Sequence, residues 1–265
     1  MSGSTVLITG ASAGIGRATA RHLAGTGARL ILACRSPERT RPLLDELVHA
    51  DVHFVRLDLA SLESVRLAVH EIASLGRGVD VIVNNAGVAG RRGITEDGFE
   101  LAFGVNHVGH AALTLGLVDA VGQAGRIIAV SSNAHFRSPG IDWPTLRRKT
   151  STLTGMSEYA TSKLANVLFA RQLAFRNPDV VSVALHPGVV ATDIWKRVPA
   201  IVRPLVTRKL LTPEEGASTS IYCVTAGELV SGAYYERSAV REPSDVARDD
   251  ELAARLWDET RRWVG

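Results

Sequence analysis

The sequence Thr5-Val-Leu-Ile-Thr-Gly-Ala-Ser-Ala-Gly-Ile-Gly16 decides the fold. The apolar run Thr5–Thr9 is typical of a buried β-strand, and it leads through a glycine-rich turn into a helical pattern. Gly10 permits a tight turn, while Gly14 and Gly16 let the backbone approach a pyrophosphate at the N-terminus of the helix. Unpaired N–H groups and the helix dipole favour negative charge there, so the turn predicts a dinucleotide-binding site.

Short β-branched runs alternate with helical patterns along most of the chain. The predicted strands are Thr5–Thr9, Leu30–Ala33, His53–Leu57, Val79–Val83, Arg126–Val130, Val180–Leu185 and Gly232–Tyr235. Such alternation is typical of βαβ units, and near-continuous Val, Ile and Leu indicates strands that are covered on both faces. No linker divides the 265 residues. We therefore predict one α/β domain, residues 1–265, with a doubly wound seven-stranded parallel sheet of the Rossmann type, flanked by helices.

The composition excludes several classes of protein. Hydrophobic residues make up 46% and charged residues 22%, which excludes a disordered chain. The net charge is only +3 and no long run of like charges occurs, so we expect no nucleic-acid partner. The two cysteines, Cys34 and Cys223, fit a reducing compartment. No signal peptide and no apolar run of about 18 residues is found, so we expect a cytoplasmic protein without a membrane anchor.

Two irregular stretches, residues 133–157 and 188–211, interrupt the alternation. Both follow predicted strands, and ligands of open α/β sheets bind beyond the carboxyl ends of the strands. Long loops in compact domains usually serve binding, so we predict that both loops bind the substrate. Apolar residues in the second loop favour a bulky hydrophobic substrate.

The residues after the second predicted strand indicate which nucleotide binds. An acidic residue there would accept a hydrogen bond from the ribose 2′-hydroxyl and select NAD. The chain instead has Cys34, Arg35 and Ser36, and no carboxylate is expected to repel a phosphate. A guanidinium can pair with a 2′-phosphate through two hydrogen bonds, so NADP(H) is preferred. The alternative is that Arg35 is a solvated loop residue.

Tyr159 and Lys163 lie four residues apart in a helical pattern, so they share one helix face. An ammonium near the phenol would stabilise phenolate and lower the tyrosine pKa, which would make Tyr159 an acid or base near neutral pH. Taken alone, this spacing also occurs by coincidence on solvated helix faces.

Further motifs share the order and spacing of a known family. They are Thr9–Gly16, Asp58, Asn84-Asn85-Ala86-Gly87, Asn106, Ser131-Ser132, Tyr159-x-x-x-Lys163 and Pro187-Gly188. Over its whole length the chain resembles the short-chain dehydrogenase/reductase (SDR) family. Residues 105–110, 162–169 and 212–216 resemble the retinol-dehydrogenase-like branch most closely.

The resemblance implies four catalytic residues. Tyr159 would protonate the carbonyl oxygen during reduction, and Ser132 would donate a hydrogen bond to that oxygen. Lys163 would lower the Tyr159 pKa and hold the nicotinamide ribose. Asn106, in a helix, would position a water that connects Lys163 to solvent.

The same resemblance, with the glycine turn and Arg35, predicts the contacts to NADP(H). They are Gly10, Ser12, Ala13, Gly14, Ile15, Gly16, Arg35, Ser36, Asp58, Leu59, Asn85, Ala86, Gly87, Tyr159, Lys163, Pro187, Gly188, Val189 and Thr192. Asp58 would contact the adenine, Thr192 the carboxamide and Val189 the nicotinamide. Ala13 stands where many NADP-dependent members carry a second basic residue.

These observations predict an NADPH-dependent carbonyl reductase, or alcohol dehydrogenase in the reverse direction. Its partner would be a small lipophilic ketone, aldehyde or secondary alcohol. The alternatives are reduction of an enone C=C bond at the same site and a non-catalytic NADP-binding regulator. No metal site is predicted, and His107 and His110 are assigned to helix packing. Both a monomer and a homo-oligomer are compatible with the sequence.

Overall fold

A sheet of eight strands runs through the computed structural model, which describes residues 1–76, 78–188 and 211–265. The strands are β1 Thr5–Thr9, β2 Arg29–Cys34, β3 Val52–Arg56, β4 Val79–Asn84, β5 Val121–Val130, β6 Val181–His186, β7 Tyr234–Glu236 and β8 Ala239–Arg241. Their spatial order is β3-β2-β1-β4-β5-β6-β7-β8. The first seven strands are parallel to their neighbours, and β8 is antiparallel to β7.

Helices cover both faces of this sheet. They are α1 Gly14–Ala24, α2 Pro37–Glu46, α3 Leu62–Ser74, α4 (residues 101–117), α5 Met156–Arg176, α6 Pro213–Thr225 and α7 Asp250–Val264. The helix α4 is continuous but contains a π-helical turn, Gly104–Val108, between two α-helical parts. Alternate residues of β1 point to opposite faces, so Leu7 joins the core beneath α3 and α4, whereas Val6 and Ile8 join the core beneath α1 and α6.

The eighth strand was not predicted, and the predicted count of seven is therefore too low by one short strand. A two-residue turn, Arg237-Ser238, joins β7 to β8 with φ values of 52° and 61°. Positive φ at both turn positions matches the right-handed twist of a hairpin, but it usually comes with Asn or Gly, which are absent here. The α/β class, the doubly wound topology and the parallel arrangement of β1 to β7 are confirmed.

The stretch 133–157 is more regular than predicted. It holds two 3-10 helices, Asn133–Arg137 and Trp143–Arg147, and α5 already begins at Met156. Of the second predicted loop, residues 189–210 lie outside the described residues, and with them the predicted contacts Val189 and Thr192.

Among the described residues, one helical stretch, Leu101–Ala120, is long and apolar enough by composition to cross a membrane, so the expectation that no such stretch occurs is wrong. It corresponds to α4 and a short extension, and 72% of its most apolar window is buried against the rest of the protein. In this fold it is a core helix between α3 and α5.

Candidate active site

The strand order creates a crevice between β1 and β4, where the chain changes the direction in which it builds the sheet. Predicted site residues follow the carboxyl ends of five strands, so they lie along one edge of the sheet. They are Gly10 after β1, Arg35 after β2, Asn85 after β4, Ser132 after β5 and Pro187 after β6.

The glycine turn forms a cradle at the start of α1. Gly10 has φ +70°, and a Cβ there would lie 2.8 Å from the Cβ of Ala86. Ala13, the residue before α1, makes no capping hydrogen bond with its side chain, and the first turn of α1 carries no acidic residue. The N-termini of α2, α3, α6 and α7, in contrast, all have a capping side chain and an acid in the first turn. The first-turn N–H groups of α1 therefore suit a diphosphate, and the cradle fits a dinucleotide.

A hydroxyl group ties the ends of β1 and β4 together beneath this cradle. Thr9 Oγ1 accepts hydrogen bonds from the backbone N–H groups of Asn85 and Ala86, both at 2.9 Å. The Asn85 side chain donates to the Thr9 carbonyl at 2.8 Å. The structure thus brings the predicted contacts Asn85 and Ala86 against the glycine turn.

The end of β2 differs from the sequence expectation in one respect. The Cys34 thiol lies against the backbone of the glycine turn, and burial raises its pKa. Arg35 is exposed and Ser36 caps α2, as its side chain accepts from the Arg39 N–H. The expectation that no carboxylate lies here is wrong: the Ser36 hydroxyl donates to Glu38 Oε2 at 2.7 Å. The pattern Ser-Pro-Glu is a common helix start, so the sequence did contain a signal for this carboxylate.

Asp58 and Leu59 follow β3 and lie at the far end of the same edge. Asp58 Oδ1 accepts from the Ala60 N–H at 3.0 Å, which fixes the turn before α3. The Leu59 side chain is buried in the core, and its backbone packs closely against Gly109 of α4. The Leu59 side chain is therefore not available to a ligand.

Three predicted catalytic residues come together where β5 ends and in the first half of α5: Ser132, Tyr159 and Lys163. The side chains of Ser132 and Tyr159 share a hydrogen bond, and the Lys163 ammonium lies 5.6 Å from the centre of the Tyr159 ring. Lys163 Nζ also donates to the Val130 carbonyl at 2.7 Å. The predicted catalytic residues thus share one end of the sheet, with the tyrosine and lysine on one face of α5.

The electrostatics of Tyr159 are the reverse of the sequence expectation. Burial raises the pKa of Tyr159, and its hydrogen bond with Ser132 only partly opposes this shift. Burial also lowers the pKa of Lys163 to about 7. Burial is the largest cause of both shifts, and the raised pKa means that Tyr159 keeps its proton at neutral pH.

Asn106 lies in the π-helical turn of α4 and is completely buried. Its Oδ1 accepts from the Val88 N–H at 2.8 Å, and its Nδ2 donates to the Val88 carbonyl and to the Ser162 hydroxyl. A Cβ on Gly87 would lie 3.2 Å from Asn106 Oδ1 and 3.6 Å from Lys163 Nζ. Both side chains therefore converge on the backbone at Gly87. The water relay through Asn106 stays a prediction.

Two buried residues, His135 and Tyr234, support the segment around Ser132. His135 is fully buried, donates from Nδ1 to the Ser132 carbonyl at 2.8 Å and accepts from the Ser244 N–H at 3.1 Å. Tyr234 packs edge-on against His135 and donates to Asn133 Oδ1. These contacts join segments about 100 residues apart, which no local pattern reveals.

At the end of β6, Pro187 and Gly188 are the last described residues before the gap. Gly188 has φ +89°, and a side chain there would collide with Leu211. The two ends of the undescribed segment therefore touch.

The part of the 133–157 stretch around Trp143–Arg147 lies away from Tyr159. It borders an open cavity of about 580 Å³ with Ser157 and Thr161, which lie on the opposite face of α5 from Tyr159. The role of this stretch in substrate binding stays a prediction.

His107 and His110 make protein contacts. His107 Nε2 bonds the Thr260 hydroxyl at 2.9 Å, and His110 bonds the Thr9 hydroxyl and the Asn106 carbonyl. Within residues 1–76, 78–188 and 211–265, no cluster of three or more His, Cys, Asp or Glu side chains is placed to hold a metal.

Comparisons with known proteins agree with this geometry. The family model described as short chain dehydrogenase matches residues 4–145. Human retinol dehydrogenase 13 is 39% identical over 99% of this chain and 85% of its own length. An uncharacterized protein from Mycobacterium paratuberculosis superposes with a TM-score of 0.81 at 30% identity, covering 99% of this chain and 94% of that one. A short chain dehydrogenase from Burkholderia cenocepacia, solved in complex with NADP, gives 0.71 at 26% identity, covering 88% and 95%.

Proposed function

Since the chain belongs to the short-chain dehydrogenase/reductase family, in its retinol-dehydrogenase-like branch, we propose that it is an NADPH-dependent carbonyl reductase. Its substrates are lipophilic ketones or aldehydes, or alcohols in the reverse direction. The observation that carries the proposal is the arrangement of Ser132, Tyr159 and Lys163 beside a cradle for a dinucleotide.

The chain's own residues supply orientation and a proton. The cofactor, when bound, supplies the hydride. Tyr159, whose pKa is raised by burial, keeps a proton that it can give to the carbonyl oxygen. Ser132 donates a second hydrogen bond to that oxygen and holds it against the phenol. Lys163 and Asn106, which converge at Gly87, orient the ribose and the backbone beneath it.

Two observations support NADP(H) as the nucleotide. Arg35 is exposed directly after β2, where the ribose 2′-group of a dinucleotide is read, and Ser36 follows it. The related chain from Burkholderia cenocepacia was solved with NADP. The lipophilic substrate is supported by the similarity to retinol dehydrogenase 13, whose named substrate is an apolar alcohol.

Replacement of Tyr159 by Phe tests the chemistry. We expect Tyr159→Phe to lower kcat for carbonyl reduction by about 10²–10⁴-fold, because it removes the proton donor and leaves the ring in place. Its Kd for NADPH should stay within about twofold of the wild-type value, because the cradle is intact. NADPH oxidation with a panel of apolar ketones and aldehydes measures turnover, and calorimetry measures binding.

Tyr222→Phe is the matched control, because Tyr222 is 37% exposed on α6 and its ring packs against Tyr235. Turnover by Tyr159→Phe equal to that of the control would overturn the mechanism. A saturated ketone recovered from an α,β-unsaturated one would identify enone reduction instead. Nucleotide binding without turnover on any carbonyl would identify a non-catalytic NADP-binding regulator.

A further inference from the structure

The N-terminus of α2 is already satisfied by the chain itself. Ser36 Oγ accepts from the Arg39 N–H at 3.2 Å and donates its proton to Glu38 Oε2 at 2.7 Å. Glu38 also lies in the first turn of the helix, where a negative charge offsets the positive end of the dipole. The cradle of α1, in contrast, has no such side chain.

This arrangement lies where a dinucleotide is distinguished by its 2′-group. Arg35 and Ser36 directly follow β2, the strand whose end carries the ribose-reading residue in dinucleotide-binding sheets. A serine hydroxyl has a single proton to donate. While that proton is given to Glu38, Ser36 cannot donate to a phosphate oxygen.

The charges around the carboxylate are mixed. Its hydrogen bond from Ser36, and to a smaller extent the nearby Arg56, hold the pKa of Glu38 below its ordinary value. The side chain is therefore ionised at neutral pH. The charge of Arg35 attracts a phosphate, and the charge of Glu38 repels it.

We infer that Glu38 is a specificity-determining residue that opposes the preference for NADP(H) given by Arg35 and Ser36. This inference rests on the proposed nucleotide site. A 2′-phosphate has to displace the carboxylate from Ser36 and lies near its negative charge, whereas a 2′-hydroxyl can donate a hydrogen bond to it. The wild-type protein therefore prefers NADPH over NADH less strongly than Arg35 and Ser36 alone would make it.

The variant Glu38→Gln tests this, because it removes the charge and keeps the size and an acceptor oxygen. We expect its Kd for NADPH to fall by about tenfold and its Kd for NADH to stay within about twofold of wild type. Calorimetric titration of each nucleotide, without substrate, gives these values. The NADPH gain should shrink as the ionic strength rises from about 0.05 M to about 1 M, because salt screens exposed charges.

Glu251→Gln is the matched control, because Glu251 is exposed at the second position of α7, as Glu38 is in α2. It should leave both Kd values unchanged. An equal change for both nucleotides in Glu38→Gln, or none, would overturn the inference while leaving the proposed function intact. Failure of the wild-type protein to bind either nucleotide would instead overturn the proposed function. Glu38→Ala should reproduce the gain, and circular dichroism confirms that each variant is folded.

Discussion

At the scale of single residues, buried histidines act as neutral hydrogen-bonding parts of the frame. The Asn106 carbonyl can only accept, so His110 carries its proton on Nδ1 and accepts the Thr9 hydroxyl at Nε2. His135 has the same tautomer, because it donates to the Ser132 carbonyl and accepts from the Ser244 N–H. One histidine thus supports the floor of the cradle and the other supports the proposed catalytic serine.

Three buried histidines, His107, His110 and His186, make the free energy of unfolding depend on pH. Burial lowers the pKa of His107 to about 3 and that of His110 and His186 to about 4, from 6.5 in the unfolded chain. The unfolded chain therefore takes up protons first as the pH falls below 6.5. We expect the free energy of unfolding to decrease from pH 6.5 to pH 4, by at most about 1.4 kcal/mol per pH unit for each histidine.

Urea unfolding at a series of pH values measures this effect. Glu100, whose pKa is raised by burial, works in the opposite direction, because its stabilising protonated form is lost as the pH rises. The variant His107→Gln should show a smaller pH slope than the wild-type protein. Equal stability at pH 6.5 and pH 4.5 would contradict the assignment of these histidines as neutral.

At the scale of elements, the N-termini of α1 and α2 differ in what satisfies their backbone N–H groups. The first turn of α1 leaves its N–H groups to a ligand, whereas the first turn of α2 satisfies itself with Ser36 and Glu38. A helix that leaves its first turn open is less stable without its ligand. The open first turn therefore makes α1 less stable than a capped helix, but it leaves N–H groups available to the nucleotide.

Substitution of Ala13 by Asp should raise the stability of the protein and weaken its nucleotide binding. Ala13 has the extended backbone of a capping residue, with φ −158° and ψ 168°. An aspartate there would cap α1 and raise the free energy of unfolding by about 0.5–1 kcal/mol. It should also weaken binding of NADPH and NADH by at least about tenfold, because its charge repels the diphosphate. Thermal unfolding and calorimetry measure the two effects.

Ala13→Asn provides the uncharged comparison, since it can cap the helix without a negative charge. It should stabilise the protein and weaken binding much less than Ala13→Asp. Unchanged nucleotide binding in Ala13→Asp would mean that the diphosphate does not lie at α1.

At the scale of the whole molecule, α7 closes the outer side of α5. Trp257 stacks on Phe169 with ring centres 5.3 Å apart, and Trp263 packs edge-on against Phe99 and Phe103. The C-terminal helix thus covers apolar surface of α4 and α5, the elements that carry Asn106, Tyr159 and Lys163. The proposed catalytic residues depend on a helix that contributes no side chain to them.

We expect Trp257→Ala to lower the free energy of unfolding by about 3–5 kcal/mol, because it opens a cavity between α5 and α7. Urea unfolding followed by circular dichroism measures the change. Leu153→Ala is the control, since Leu153 is 86% exposed and its truncation should change stability by less than about 0.5 kcal/mol. Equal stability of the two variants would show that α7 packs loosely.

How far the sequence predicts this molecule depends on the range of the interactions involved. The strand β1 was predicted with its bounds, because its pattern is local and continuous. The strand β5 begins at Val121, five residues before the prediction, where its pairing with β4 shifts register between Val79 and Val81. The contacts of His135 and Tyr234 depend on tertiary packing, and the Glu38 contact depends on a side-chain rotamer, so none of them follows from a periodic pattern.

The contact between Gly188 and Leu211 joins the end of β6 to the residue that lies two positions before α6. Gly188 has φ +89°, a conformation that residues with a Cβ rarely adopt, and a Cβ there would collide with the Leu211 side chain. Replacement of Gly188 by any other residue would therefore strain the backbone after β6 and displace Leu211. The approach of α6 to the sheet thus depends on one position that has to lack a side chain.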